Sequence, residues 1–238
     1  METKLIAIAW LFFFHAAFGQ DNVSEWMKEL EQASKVLKKE NQLISYDKLI
    51  FKNATDPSPT TTENGVVMNG VNGAYKLKES GNTIIQQQGI KIQVDSTNES
   101  IVVYKADPLN PTFSMDGFLD EYKNGNVLVT KQASALGFRY ELQFKGHQSI
   151  EKVTFLINKK GTLVQNEIWY KPNNYYQDNL EDETVETPVI RIQINAVKPT
   201  VFSPATFAFS TYFENIDLLA LSPGFANYEV MDLRIPTK

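Results

Sequence analysis

"NTIIQQQGIKIQVDSTNESIVVY", residues Asn82 to Tyr104, contains three short runs rich in isoleucine and valine. They are separated by Gln88-Gly89 and by Ser96-Thr97-Asn98. Turn-forming residues at such short intervals between β-branched runs read as successive hairpin strands of an antiparallel meander. Nothing in the stretch is reactive.

The same pattern extends in both directions. Upstream lie "QLISYDKLIFK" (Gln42 to Lys52), "NGVVMNG" (Asn64 to Gly70) and "AYKLKE" (Ala74 to Glu79). Downstream lie "VLVTKQA", "FRYELQF", "EKVTFLIN", "TLVQNEIWY" and "PVIRIQINAV", between Val127 and Val197. In the last of these, Ile190, Ile192 and Ile194 alternate with Arg191, Gln193 and Asn195, which implies one buried face and one wet face. "NKKG" (Asn158 to Gly161) is a hairpin turn. Phe138, Tyr140, Leu142 and Phe144 share one strand face, and Val153, Phe155 and Ile157 share another.

One segment before the strands has a different period. Val23, Trp26, Met27, Leu30, Ala33, Val36 and Leu37 recur at three- and four-residue steps, with Lys28, Glu29, Glu31, Lys35 and Lys38 between them. Asn22 and Glu25 stand in capping-box spacing, so an amphipathic helix of about 17 residues is expected to start there. Three stretches interrupt the strands. "TDPSPTTTENG" (Thr55 to Gly65) reads as a loop. "DPLNPTFSMDGFLDEYKNG" (Asp107 to Gly125) holds a candidate short helix over Phe113 to Tyr122. "NNYYQDNLEDETVET" (Asn173 to Thr187) is a polar, acidic excursion. No repeat or composition shift divides the chain.

The first residues, "METKLIAIAWLFFFHAAFGQ", run from Lys4 through an apolar core to Ala17 and Gly19, the order of a secretory signal peptide. Residues 1–19 are expected to be removed on export, leaving residues 20–238 as one domain. The apolar run is about half of the roughly 20 residues a membrane span requires, and no later segment is long enough to span. With no cysteine, the chain has no disulfide, no thiolate nucleophile and no cysteine-ligated metal. It also lacks the anchoring residue of a bacterial lipoprotein. The net charge of −5 argues against nucleic acid and against adhesion to an anionic membrane.

Catalytic vocabulary is sparse. Beyond the leader, His147 is the one histidine, and its setting "KGHQS" is that of a solvated turn. No G-x-S-x-G elbow, phosphate-binding glycine loop or calcium-loop pattern is present. Asp178, Glu181, Asp182, Glu183 and Glu186 read as a solvated acidic loop. No catalytic residue, metal or cofactor is therefore expected, and the chain reads as a non-enzyme.

The order of leader, amphipathic helix, meander, mid-chain helical insertion and further strands carries a family resemblance. "GAYKLKESGNTIIQQQGIKIQVDSTNESIVVY" (Gly73 to Tyr104) and "KPTVFSPATFAFS" (Lys198 to Ser210) resemble stretches of the periplasmic lipoprotein carriers of the LolA/LolB type. The resemblance implies a mainly β (α+β) fold: a curved antiparallel half-barrel with the N-terminal helix and a short mid-chain helix as its lid. It also implies a periplasmic, non-catalytic carrier of a lipid or lipoprotein acyl chain. Trp26, Leu30 and Leu37 of the helix would then face Phe138, Tyr140, Leu142 and Phe155 of the sheet across an apolar cavity. No arginine precedes Arg139, so no early-strand gating arginine carries over. The alternative is a cell-envelope module with a filled core that binds another protein. The tail Asn227 to Lys238 is expected to add a final strand.

Overall fold

Strand-forming alternation dominates the chain, and a single twelve-stranded sheet results. The computed structural model describes residues 23–106, 121, 124–172 and 186–234. The expected leader, the Asn22 cap, the mid-chain helix apart from Glu121, and most of the acidic excursion lie outside the described residues.

Helix α1 (Val23–Leu37) is followed by β1 (Gln42–Phe51), β2 (Thr61–Asn69), β3 (Tyr75–Glu79), β4 (Asn82–Gln87), β5 (Ile90–Asp95) and β6 (Ser100–Lys105). Then come β7 (Val127–Ala133), β8 (Gly137–Phe144), β9 (Ile150–Asn158), β10 (Leu163–Tyr170) and β11 (Val189–Pro199). A C-terminal segment of short 3-10 turns contains the small pair β12 (Phe213–Asn215) and β13 (Ala220–Leu221). It ends in β14 (Glu229–Leu233). The sheet order is β14-β6-β5-β4-β3-β2-β1-β11-β10-β9-β8-β7. It is a curved, open, mainly antiparallel sheet, a half-barrel with one long helix.

The two meanders meet through β1 and β11, which pair along their whole length with one register shift at Ser45/Tyr46. The hairpin at the opening stretch turns where expected. Gln88 and Gly89 both adopt positive φ (50° and 81°), as a two-residue turn matching strand twist requires. In the next turn, Asp95 accepts hydrogen bonds from the backbone N–H groups of Thr97 and Asn98. Asn158 does the same for Lys160 and Thr162 in "NKKG".

One reading changes. The expected loop over Thr55 to Gly65 is shorter, because Thr61 to Asn64 pair with Ile50 to Asp47 and extend the β1–β2 hairpin. Threonine's β-branch suits a strand, and local composition did not reveal the available partner. The expected final strand forms, but β14 runs parallel to β6.

The sheet carries a core on each face. Successive side chains of a strand point to opposite faces, and β4 shows the division: Ile84 packs into one core and Ile85 into the other. The inner core joins Met27, Leu30, Ala33 and Leu37 of α1 to Ile44, Tyr46, Val67, Leu77, Tyr140, Leu142, Val153 and Phe155. On the outer face, Ile85, Ile92, Ile101 and Val103 are covered by Phe207, Phe209, Tyr212 and Phe213 of the C-terminal segment. The β2–β3 turn accommodates this cover through Gly70, where a Cβ would stand 2.6 Å from the Phe207 ring.

Candidate functional site

The inner face is built from helix and strand periodicities that meet. The apolar stripe of α1 lies against β7, β9 and β10. Glu25 in its first turn and Lys35 in its last suit the helix dipole. The Leu37 carbonyl at its end accepts a hydrogen bond of 2.7 Å from the Asn69 side chain. Leu30, Leu37, Tyr140, Leu142 and Phe155 all fall in the inner core, none more than 2% exposed. Trp26 packs at the border of that core, half-buried. Phe138, on the same strand face as Tyr140, is 43% exposed. The seven sequence-predicted residues thus divide into five that helix and sheet shield from water and two at the periphery. In this arrangement the helix face fills the space between α1 and those strands.

A polar clasp ties the helix to the sheet. Lys131 Nζ of β7 donates to Glu29 Oε2 at 2.6 Å, and the Tyr140 hydroxyl donates to the same oxygen. Burial alone would raise the Glu29 pKa. The two hydrogen bonds and the Lys131 charge outweigh it and hold the carboxyl below its usual value. Burial and the bond to Glu29 push the Tyr140 phenol up. Lys131 also stands 4.4 Å from the centre of the Phe138 ring, a cation–π distance.

A second polar group closes the inner face near the other end of β1. Tyr46, Gly65 and Glu79 are direct lateral neighbours on β1, β2 and β3. The Tyr46 ring lies across Gly65, where a Cβ would be 2.1 Å from it, and its hydroxyl bonds Glu79. Burial first, then the Glu79 charge, raises the Tyr46 pKa. Lys48 lies beside this group, 3.0 Å from Glu63 and 3.5 Å from Glu79. Sequence reading missed these residues. The available signal was a charge at an inward position of three neighbouring strands: Lys48, Glu63 and Glu79.

On the outer face, Glu167 of β10 is 2% exposed and saturated with donors. Arg191 Nε and Arg139 Nη2 each lie 2.7 Å from it, and the Thr154 hydroxyl lies 2.9 Å away. Burial would raise this carboxyl, but the Thr154 and Arg191 hydrogen bonds and both guanidinium charges lower it. With its oxygens so occupied, the group braces four strands. It offers no free base.

His147 is half-buried and also serves as a brace: its Nδ1 accepts the N–H groups of Ser149 (3.1 Å) and Ile150 (2.9 Å). It lines an open polar cleft of about 400 Å³ with Glu121, Asn126, Lys145 and Gln148. Among the described residues, no group of three or more His, Asp or Glu is placed to hold a metal ion, and no helix is long and apolar enough to cross a membrane.

No family model matches the chain, and no curated protein does. Among solved structures it is similar to an uncharacterized conserved protein from Thermus thermophilus, with 8% identity over 87% of this chain and 99% of that one, at a TM-score of 0.47. A DUF1329 family protein from Desulfovibrio piger shares 12% identity over 80% and 99% of the two chains, at 0.39. A LolA superfamily protein from Nitrosomonas europaea shares 10% identity over 77% and 97%, at 0.34.

Proposed function

We propose that this chain is a non-catalytic carrier of the periplasm that holds an apolar ligand, a lipid or lipoprotein acyl chain, between α1 and the inner face of the sheet. The observation behind this reading is that one amphipathic helix, no part of the strand ladder, packs on the inner face mainly through its apolar side chains. Lifting it breaks no strand pairing; besides apolar packing, it releases only the Asn69 bond to the Leu37 carbonyl and the Glu29 bonds to Lys131 and Tyr140 among the contacts described above. The energies are of comparable size. Exposing Met27, Leu30 and Leu37 costs roughly 5–9 kcal/mol, and burying a dozen acyl CH₂ groups returns about 10 kcal/mol. Leu30, Leu37, Tyr140, Leu142 and Phe155 would then line the ligand, with Trp26 and Phe138 at the mouth.

The shielding of those five side chains from water favours a second reading. In it the core stays closed and the chain is a cell-envelope module that binds another protein.

The experiment is purification from the exported fraction of a host, native mass spectrometry, then organic extraction and identification of what is released. The carrier reading expects a stoichiometric acyl species. A bare protein that also fails to take up a fluorescent fatty acid would replace it with the second reading, whose partner crosslinking would identify.

A further inference from the structure

The net charge of −5 conceals a division between the two ends of the strands. Following the sheet order, the β2–β3 turn, the entry to β1, the exit of β11, the β9–β10 turn and the β7–β8 turn all lie at one end. Direct contacts join them in two groups, the first around the entry to β1 and the second at the β9–β10 and β7–β8 turns, and the sheet order sets both groups at the same end. Gln42 pairs with both Asn69 and Pro199, and Thr200 N–H donates to the Asn41 carbonyl at 2.7 Å. Lys159 N–H donates to the Leu136 carbonyl at 3.1 Å.

Among the described residues of these five segments, this rim carries Lys39, Lys159, Lys160 and Lys198, all exposed, against the acid Glu40. Between them stand apolar side chains in water: Val71 (50% exposed), Leu136 (60%) and Val201 (88%). The opposite end carries Asp56, Asp95, Glu99, Glu121 and Glu229 against Lys52, Lys145 and Lys171.

We propose that the lysine-bearing rim docks on an anionic lipid surface, with Val71, Leu136 and Val201 entering the headgroup layer. Charge complementarity selects this occupant. Lysines within a few ångströms of an anionic bilayer each add attraction, and apolar tips between them gain by leaving water. A protein partner fits less well, because interface centres are enriched in Tyr, Trp and Arg and depleted in Lys. The rim has the reverse composition. The division of charge also orients the molecule, since its acidic end is repelled by the same surface.

The test is sedimentation of the exported protein with vesicles of phosphatidylglycerol and phosphatidylcholine, and with vesicles of phosphatidylcholine alone. Binding is expected to the anionic vesicles only, and to weaken with salt. The K159E/K160E double variant is expected to bind at least tenfold more weakly. K52E/K145E makes the same change in net charge at the other end and is expected to alter binding less than twofold. The double variant L136S/V201S is expected to lose severalfold with an unchanged melting temperature. Equal binding to both vesicles, equal losses in the two charge variants, or retention only on an acidic polypeptide column would each overturn the proposal.

Discussion

Arg191 and Glu167 face each other directly across β11 and β10, with the guanidinium Nε 2.7 Å from a carboxylate that is 2% exposed. Arg139 reaches the same carboxylate from β8, on the far side of β9. One acid thus fixes the lateral order of four strands on the outer face. The Phe51 ring stands 4.8 Å from the Arg191 guanidinium. Replacing Glu167 by Ala leaves two guanidiniums facing each other without an anion. Both are a third or more exposed and recover part of the loss from water. The expected destabilisation is about 1–3 kcal/mol, read from the urea midpoint. A variant as stable as the parent would show that the group contributes no net stability.

The same carboxyl sets an acid limb. Its folded-state pKa lies below its unfolded value, so its contribution is fully present above the unfolded carboxylate range, near pH 4.3. That contribution is lost as pH falls through the lower, folded value. Urea midpoints of the parent should fall on acidification from about pH 5 to about pH 3, and those of Glu167→Gln should fall less. Parallel curves would show that other carboxylates carry the acid sensitivity.

Gly65 is required by contact, since its backbone φ is not in the left-handed region. Gly65→Ala is expected to push the Tyr46 ring off β2 and to cost about 1–3 kcal/mol. The double variant Gly65→Ala with Tyr46→Ala should cost less than the sum of the two singles, because the clash is then absent. Additive losses would contradict the close approach.

The clasp on Glu29 predicts a change in motion more than in stability. In Glu29→Gln the ionic bond from Lys131 is lost while the apolar face of α1 stays packed. Amide hydrogen exchange should quicken across Val23 to Leu37 and stay unchanged in β8 and β9. Uniform acceleration through the sheet would mean the clasp supports the whole fold.

Phe138 separates ligand binding from stability. At 43% exposure, Phe138→Ala is expected to cost under about 1 kcal/mol, whereas Phe155→Ala, at 2%, is expected to cost about 3–5 kcal/mol. Under the carrier reading, Phe138→Ala lowers the affinity for a fluorescent fatty acid severalfold at nearly constant melting temperature. Unchanged affinity would take Phe138 out of the ligand path.

Much of this molecule is legible from local pattern. Alternation of period two marked the eleven strands between Gln42 and Pro199, and the 3.6-residue period marked α1. Turn residues such as Gln88-Gly89 and Asn158 to Gly161 placed the reversals. Those signals are local: they arise from which side a side chain points and from which residues tolerate a given φ. Alternation also assigned Phe138, Tyr140, Leu142 and Phe155 inward positions, and the tertiary structure puts the last three in the inner core.

Local pattern thus located α1 and the eleven strands up to Pro199 and gave most of them a buried and a wet face. The tertiary structure decided which elements are lateral neighbours. It joined β1 to β11, set β14 parallel to β6, and laid Tyr46 across Gly65 to meet Glu79. It also gathered Arg139 and Arg191 on Glu167, and brought the lysines of three separate segments to one rim. Each of these depends on residues far apart in the chain. A contact's energy depends on distance in space, whereas sequence periodicity reports only on near neighbours along the backbone.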